Sequence, residues 1–218
     1  MARCLDHTLL KADSSAAQIC TLCEEARYWG FASVCVPPLF VPLAFAQLAD
    51  SLVAVGTVIG FPLGYQTTAS KVFEAEQAVA AGASELDMVV AVGRALDGGL
   101  DEVEAEILAV VAVAKAAKVK VIIECCYLTD ELKGALAEIV VRSGAGYVKT
   151  STGFGSGGAT LSDVRLLADR VQGQIGVKAA GGIRDLAACR AFLAAGATRI
   201  GTSNGVDIMA ELLCGAAL

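Results

Sequence analysis

Two lysines sit where an amine can become a nucleophile. The segment YVKTSTGFG, residues 147–155, puts Lys149 at the end of a short β-branched run, beside hydroxyls and a glycine loop. The next such run leads into VKAAGGIR at 177–184 and carries Lys178 at the equivalent place. If both side chains point the same way from neighbouring strands, their nitrogens lie roughly 5–7 Å apart. At ~6 Å and an effective dielectric near 20 the repulsion is about 2.8 kcal/mol, or roughly two pK units. One of the two is then neutral enough to attack an aldehyde or ketone. The Schiff base so formed draws electrons from the adjacent carbon and permits C–C cleavage without a metal. Asp87 interrupts the apolar run Leu86–Val90 and is the carboxylate that could accept or relay a hydroxyl proton. Plainer roles are open to all three: a rim salt bridge for a lysine, a counter-ion for Asp87.

Two glycine-rich segments suggest an anchor for a phosphorylated substrate. Gly181 and Gly182 precede one helical pattern, and GTSNG at 201–205 precedes the last. Backbone N–H groups at a helix N-terminus can hold phosphate without a charged side chain. Residues 153–158 also fit GxGxxG, but the next strand ends in Lys–Ala–Ala–Gly, with no acidic residue to hold a ribose. No nicotinamide cofactor is expected. The single histidine, His7, leaves zinc and triad chemistry without ligands, so no metal is expected either. Glu124 ends another apolar run, and like Asp87 it requires pairing or solvation because burying a lone charge is costly.

These groups need a repeating frame. Short β-branched runs recur at Leu5–Leu9, Ser33–Val36, Val53–Gly60, Glu85–Val90, Lys120–Glu124, Tyr147–Thr150, Gly176–Ala179 and Arg199–Gly201. Helical spacing follows each, near 14–29, 41–50, 67–81, 100–116, 130–143, 161–172, 185–195 and 206–214. Eight βα units in one uninterrupted series predict an α/β fold, a closed (β/α)8 TIM barrel forming a single catalytic domain over 1–218. An open doubly wound sheet is the other arrangement. In a barrel the chemistry lies at the C-terminal strand ends, where Asp87, Glu124, Lys149 and Lys178 fall.

Composition removes other classes. With 56 % apolar residues in 218 and a mean hydropathy of +0.62, the chain can bury a large core and is not disordered. Seventeen Lys and Arg against 23 Asp and Glu give a net charge of −6 with no basic cluster, so nucleic acid is not an expected partner. Residues 31–49 and 51–70 are uncharged stretches of nearly spanning length. Pro37, Pro38 and Pro42 break the first and Gly56, Gly60, Pro62 and Gly64 the second, so buried parallel strands are expected, not a membrane. No leader pattern opens the chain, and its eight cysteines, including Cys20 and Cys23 in a CxxC, read as reduced, cytoplasmic and mostly buried. Apolar helix faces would serve a homodimer as well as the barrel.

Seven segments in order resemble the deoxyribose-phosphate aldolases: LDHTLLK at 5–11, VCVPP at 34–38, GFPLG at 60–64, ELDMVV at 85–90, YVKTSTGFG at 147–155, VKAAGGIR at 177–184 and RIGTSNG at 199–205. The resemblance implies a metal-independent class I aldolase on a (β/α)8 barrel. Its reaction would be the reversible cleavage of 2-deoxyribose 5-phosphate to acetaldehyde and glyceraldehyde 3-phosphate, in deoxyribonucleoside catabolism. By position, Lys149 would be the Schiff-base lysine, Asp87 the proton relay and Lys178 the lysine that tunes the amine. Asp6 would partner Lys178, and Cys35 would be a thiol lining the pocket. Thr152, Gly153, Gly181, Gly182, Gly201 and Ser203 would line the phosphate end, and His7 would be structural, near the pocket floor. Phe154 stands where some members carry a lysine, so phosphate recognition is expected to lean on backbone amides. Asn204 would contact phosphate or narrow the pocket. Some members end in a tyrosine, and this sequence ends CGAAL. Two other readings remain open at this point: a Schiff-base lyase with a longer keto donor, transaldolase-like or a keto-acid aldolase, and a barrel that binds sugar phosphate without catalysis.

Overall fold

A computed structural model describes residues 1–215; residues 216–218, and with them the end of the tyrosine-free tail, lie outside the described residues. Eight strands follow one another: β1 Leu5–Thr8, β2 Ser33–Cys35, β3 Ala54–Ile59, β4 Glu85–Val89, β5 Lys118–Ile122, β6 Tyr147–Lys149, β7 Gly176–Ala180 and β8 Arg199–Thr202. All pair in parallel and in chain order, and β8 closes on β1 through Leu5–Ile200, Asp6–Gly201 and His7–Thr202. The fold is the (β/α)8 barrel, not the open sheet.

The helices are α1 Ala16–Trp29, α2 Val41–Gln47, α3 Thr68–Ala80, α4 Val92–Leu96, α5 Leu100–Ala114, α6 Asp130–Arg142, α7 Leu161–Val171, α8 Leu186–Ala194 and α9 Gly205–Gly215. Side-chain caps fix where several begin: Ser15 with Gln18 in a capping box for α1, then Thr67, Thr129, Thr160 and Asp185 for α3, α6, α7 and α8. Gly30 ends α1 with φ +66°, a left-handed turn that glycine adopts without a Cβ penalty. The five-residue α4 was not expected, because VGRAL is too short to show a helical period. β5 begins two residues earlier than its apolar run suggests, since Lys118 pairs with Glu85 of β4. It also stops before Glu124, whose backbone turns left-handed at φ 54°, ψ 67°.

Two environments separate across each strand. Outward side chains such as Leu86 and Met88 of β4 join Ile19 and Leu22 of α1, Ile107 and Val110 of α5 and Leu136 and Val140 of α6 in the apolar layer. Each such side chain contributes roughly 1.5–3 kcal/mol when fully buried. The alternate side chains point inward, and in the middle of this barrel many are ions. His7 takes the helix side: its Nε2 meets Glu25 of α1 at 2.7 Å and its ring lies 5.0 Å from that of Phe31. It therefore packs outside β1, away from the pocket floor, because successive side chains of a strand alternate and Asp6 takes the inner face.

The two long uncharged stretches resolve into β2, a turn and α2, and into β3, a glycine loop and the start of α3. No helix among the described residues is long and apolar enough to cross a membrane. All eight cysteines are free thiols; Cys23, Cys35, Cys125 and Cys189 are buried, Cys4, Cys20 and Cys126 half-buried, and Cys214 exposed.

Candidate active site

Strand register brings the charges together. Lys149 of β6 lies directly opposite Lys178 of β7, and Lys120 of β5 opposite Asp87 of β4. Asp87 is the hub: its Oδ2 accepts from Lys149 and from Lys178, each at 2.7 Å, and its Oδ1 from Lys120 at 2.8 Å. Sharing one oxygen, the Lys149 and Lys178 nitrogens are no more than twice that distance apart, near the lower edge of the expected spacing.

A second tier supports the hub. Asp6 Oδ2 lies 2.5 Å from Lys178 and 3.3 Å from Lys120, contacts of charge whose angles are not those of hydrogen bonds. Arg199 of β8 donates to Asp6 Oδ1 at 2.6 Å and reaches Glu85 Oε2 at 3.2 Å, while Lys120 meets Glu85 at 2.7 Å. Lys120, Glu85 and Arg199 were missed in the sequence. The available signal was the alternation Lys118–Val–Lys–Val–Ile122, which puts Lys118 and Lys120 on one face of the strand, though not which face.

The electrostatics separate the two lysines. Burial is the largest influence on Lys149 and lowers its pKa; Asp87 opposes this, and the Lys178 cation lowers it further. Lys178 is buried too, but Asp6 and Asp87 outweigh desolvation and raise its pKa. The neighbouring cation emphasised by the sequence argument thus assists burial, which has the larger effect. Asp87 is driven well below the ordinary carboxylate range: burial raises it, but Lys120, Lys149 and Lys178 together prevail. Counted as ions, three carboxylates (Asp6, Glu85, Asp87) face four buried cations (Lys120, Lys149, Lys178, Arg199), so an unprotonated Lys149 leaves the cluster neutral. A neutral set is the favoured one where net charge is expensive to bury.

Lys149 opens onto a cavity of about 240 Å³ at the C-terminal ends of the strands, whose lining includes Thr152, Gly153, Gly181, Gly182, Gly201 and Ser203. Asp87, Lys178 and Asp6 lie beneath it, fully buried. Cys35 is not in the lining; it is buried beside the ion cluster, and burial, reinforced by Asp87, pushes its thiol up to about 11. Gly201 keeps the place of Lys178 open, since a Cβ there would come 3.1 Å from Lys178 Cε and 3.0 Å from Ala180 Cβ. The Thr152 hydroxyl is committed to Glu124, and the Asn204 amide donates to Asp207 of α9 at 3.1 Å. The lining also holds Lys11 and Arg184 and no carboxylate, so two exposed cations flank a rim that was expected to lean on backbone amides. A larger hollow of about 690 Å³ lies between the loops after β3 and β4, but its Arg94 and Glu102 pair with each other and its Glu106 is held by Lys71.

A buried amine whose pKa burial lowers, open to a cavity at the strand ends of a (β/α)8 barrel, meets the requirements of a nucleophile toward a carbonyl. Residues 1–211 match the DeoC/LacD family of aldolases, and the chain belongs to that family. It is 56 % identical over 207 residues to the deoxyribose-phosphate aldolase of Syntrophotalea carbinolica, covering 95 % of this chain and 94 % of that one. Among solved structures it superposes on the aldolase QR15 with a TM-score of 0.95 at 39 % identity, covering 99 % of this chain and 97 % of that one. It also matches the tetrameric deoxyribose phosphate aldolase of Aeropyrum pernix with a TM-score of 0.89 at 35 % identity, covering 97 % and 90 %.

Proposed function

We propose that the protein is a class I aldolase that reversibly cleaves 2-deoxyribose 5-phosphate to acetaldehyde and glyceraldehyde 3-phosphate in deoxyribonucleoside catabolism. The observation that carries this reading is the Lys149 amine, depressed by burial, held by Asp87 and open to a cavity whose rim bears cations and glycines. The Lys149 nitrogen attacks C1 of the open-chain aldehyde, and loss of water gives a protonated Schiff base. The C3 hydroxyl then gives up its proton to Asp87, directly or through a water. The C2–C3 bond breaks, its electron pair passing to the iminium to leave an enamine, and glyceraldehyde 3-phosphate departs. Protonation of the enamine at C2 and hydrolysis release acetaldehyde and restore the amine. Lys178, kept charged by Asp6 and Asp87, holds the Asp87 carboxylate in place and disfavours a second cation on Lys149.

In this reading Gly153, Gly181, Gly182, Gly201 and Ser203 bound the phosphate end, and residues 1–218 act as one catalytic domain. Eight free thiols suit a reducing compartment such as the cytoplasm. A homodimer would cover exposed apolar side chains such as Tyr28, Leu39 and Leu52.

Borohydride reduction in the presence of acetaldehyde is expected to trap a covalent adduct, and peptide mapping to place it on Lys149. Lys149→Ala should trap nothing and cleave nothing. An adduct on another lysine, or wild-type turnover without any trapped adduct, would overturn the mechanism. Acceptance of longer keto donors in place of acetaldehyde would point to a different lyase of the same chemistry.

A further inference from the structure

Glu124 is unusual twice over. Its carboxylate is buried, with no Lys, Arg or His within ion-pair distance among the described residues, and its backbone is left-handed, which L side chains rarely adopt. Both features are unfavourable, and such a residue persists only where its surroundings fix it. What fixes it is Thr152 in the loop after β6: the Thr152 N–H donates to Glu124 Oε1 at 3.1 Å and the Thr152 hydroxyl donates to Oε2. The same hydroxyl accepts from the Phe154 N–H at 3.0 Å, so the carboxylate organises three successive residues.

That loop is a wall between two spaces. Thr152 and Phe154 line the cavity into which Lys149 opens and also a small hollow of about 60 Å³ bordered by Glu124 and Tyr127. Phe154 stands edge-on against Phe61, ring centroids 5.3 Å apart. Gly155 packs down onto the anchor, since a Cβ there would lie 3.0 Å from Cys126 Sγ and 3.2 Å from Glu124 Cδ. On the cavity side Gly153 faces Gly181, and the far end of the loop is tied by the Ala159 N–H to the Gly181 carbonyl at 3.1 Å. Glu124 is thus the near anchor of the segment that forms one side of the glycine rim.

We propose that Glu124 is a positioning residue for the phosphorylated end of the substrate, acting through Thr152 on the loop that carries Gly153 and Phe154. This rests on the reaction assigned above. Without the carboxylate the loop loses its near anchor while Lys149, Asp87 and Lys178, held by their own ion cluster, stay in place.

The test is a comparison of 2-deoxyribose 5-phosphate with unphosphorylated 2-deoxyribose. Glu124→Ala should raise KM for the phosphorylated sugar about tenfold with kcat within about twofold, and leave kcat/KM for the unphosphorylated sugar within about twofold. Glu124→Gln keeps an acceptor for the Thr152 N–H and offers an amide donor to the hydroxyl, so it should restore most of the affinity. If the alanine variant does not fold, Thr152→Val removes the hydroxyl that donates to Glu124 and accepts from the Phe154 N–H, and should shift KM for the phosphorylated sugar in the same direction. A parallel fall for both sugars, or no change in KM for the phosphorylated one, would overturn the proposal. Trapping of acetaldehyde on Lys149 is measured alongside: its absence in the wild type would refute the assigned reaction, whereas its persistence with unmoved KM values would refute only the role of Glu124.

Discussion

Replacing Lys178 by methionine isolates the influence of one cation on the reactive amine. The two nitrogens share Asp87 Oδ2 at 2.7 Å each, which bounds their separation at twice that distance. At ~5 Å and an effective dielectric near 20, the lost repulsion is about 3 kcal/mol, or roughly two pK units. The sign is fixed: without the cation, protonation of Lys149 becomes easier, its pKa rises, and less of it is neutral at a given pH. Asp6 and Asp87, left with one cation fewer, push the same way. The rate of borohydride-trapped adduct formation with acetaldehyde, followed across the alkaline range, should therefore keep its shape and move up by about two pH units, with a roughly 100-fold loss near neutrality that alkali recovers. Breaking the buried pair also costs about 3–5 kcal/mol of stability, so the profile is taken where circular dichroism shows the variant folded. A rate loss at every pH with no shift of the profile would refute the reasoning, because Lys178 would then be acting on a proton transfer and not on the amine.

Gly201→Ala should reproduce a weaker version of this result without removing any charge, since its methyl would press on Lys178 Cε; an unaltered pH profile in a folded variant would contradict the packing. Lys71→Met tests a strut outside the barrel. Lys71, fully buried, donates to Glu106 at 2.7 Å and to the carbonyls of Gly64 and Val89 at 2.7 and 2.9 Å. Its loss strands a buried carboxylate and should cost about 3–5 kcal/mol in urea unfolding, out of a total stability of roughly 5–15 kcal/mol.

The barrel was legible because each strand is short and followed by a helix, five of which begin at a capping Ser, Thr or Asp, so local pattern and global topology agree. The need of Lys149, Asp87 and Lys178 for partners was legible because a charge interrupting an apolar run has to be explained, and the structure pairs them. Lys120 was not, since Lys118–Val–Lys looks like the ragged start of a strand, and only register against β4 shows it facing Asp87. The bond from Glu124 to Thr152 spans 28 positions, and neither residue by itself signals the other. Cys35 is buried and outside the cavity lining, a depth that the motif around it does not encode. Lys11 and Arg184 lie in the segments 5–11 and 177–184, yet spacing along the chain does not tell that both turn toward one rim.

The ion cluster also sets an order on how the molecule can come together. Asp6, near the start of the chain, is neutralised by Lys178 and Arg199, the latter 193 residues away, across the seam where the last strand meets the first. Until β8 has emerged from the ribosome, these carboxylates and ammonium groups lack their full complement and must stay hydrated. The apolar helix faces have no such dependence on the last strand, so the ion pairs in the middle of the barrel are the contacts that closure of β8 on β1 completes.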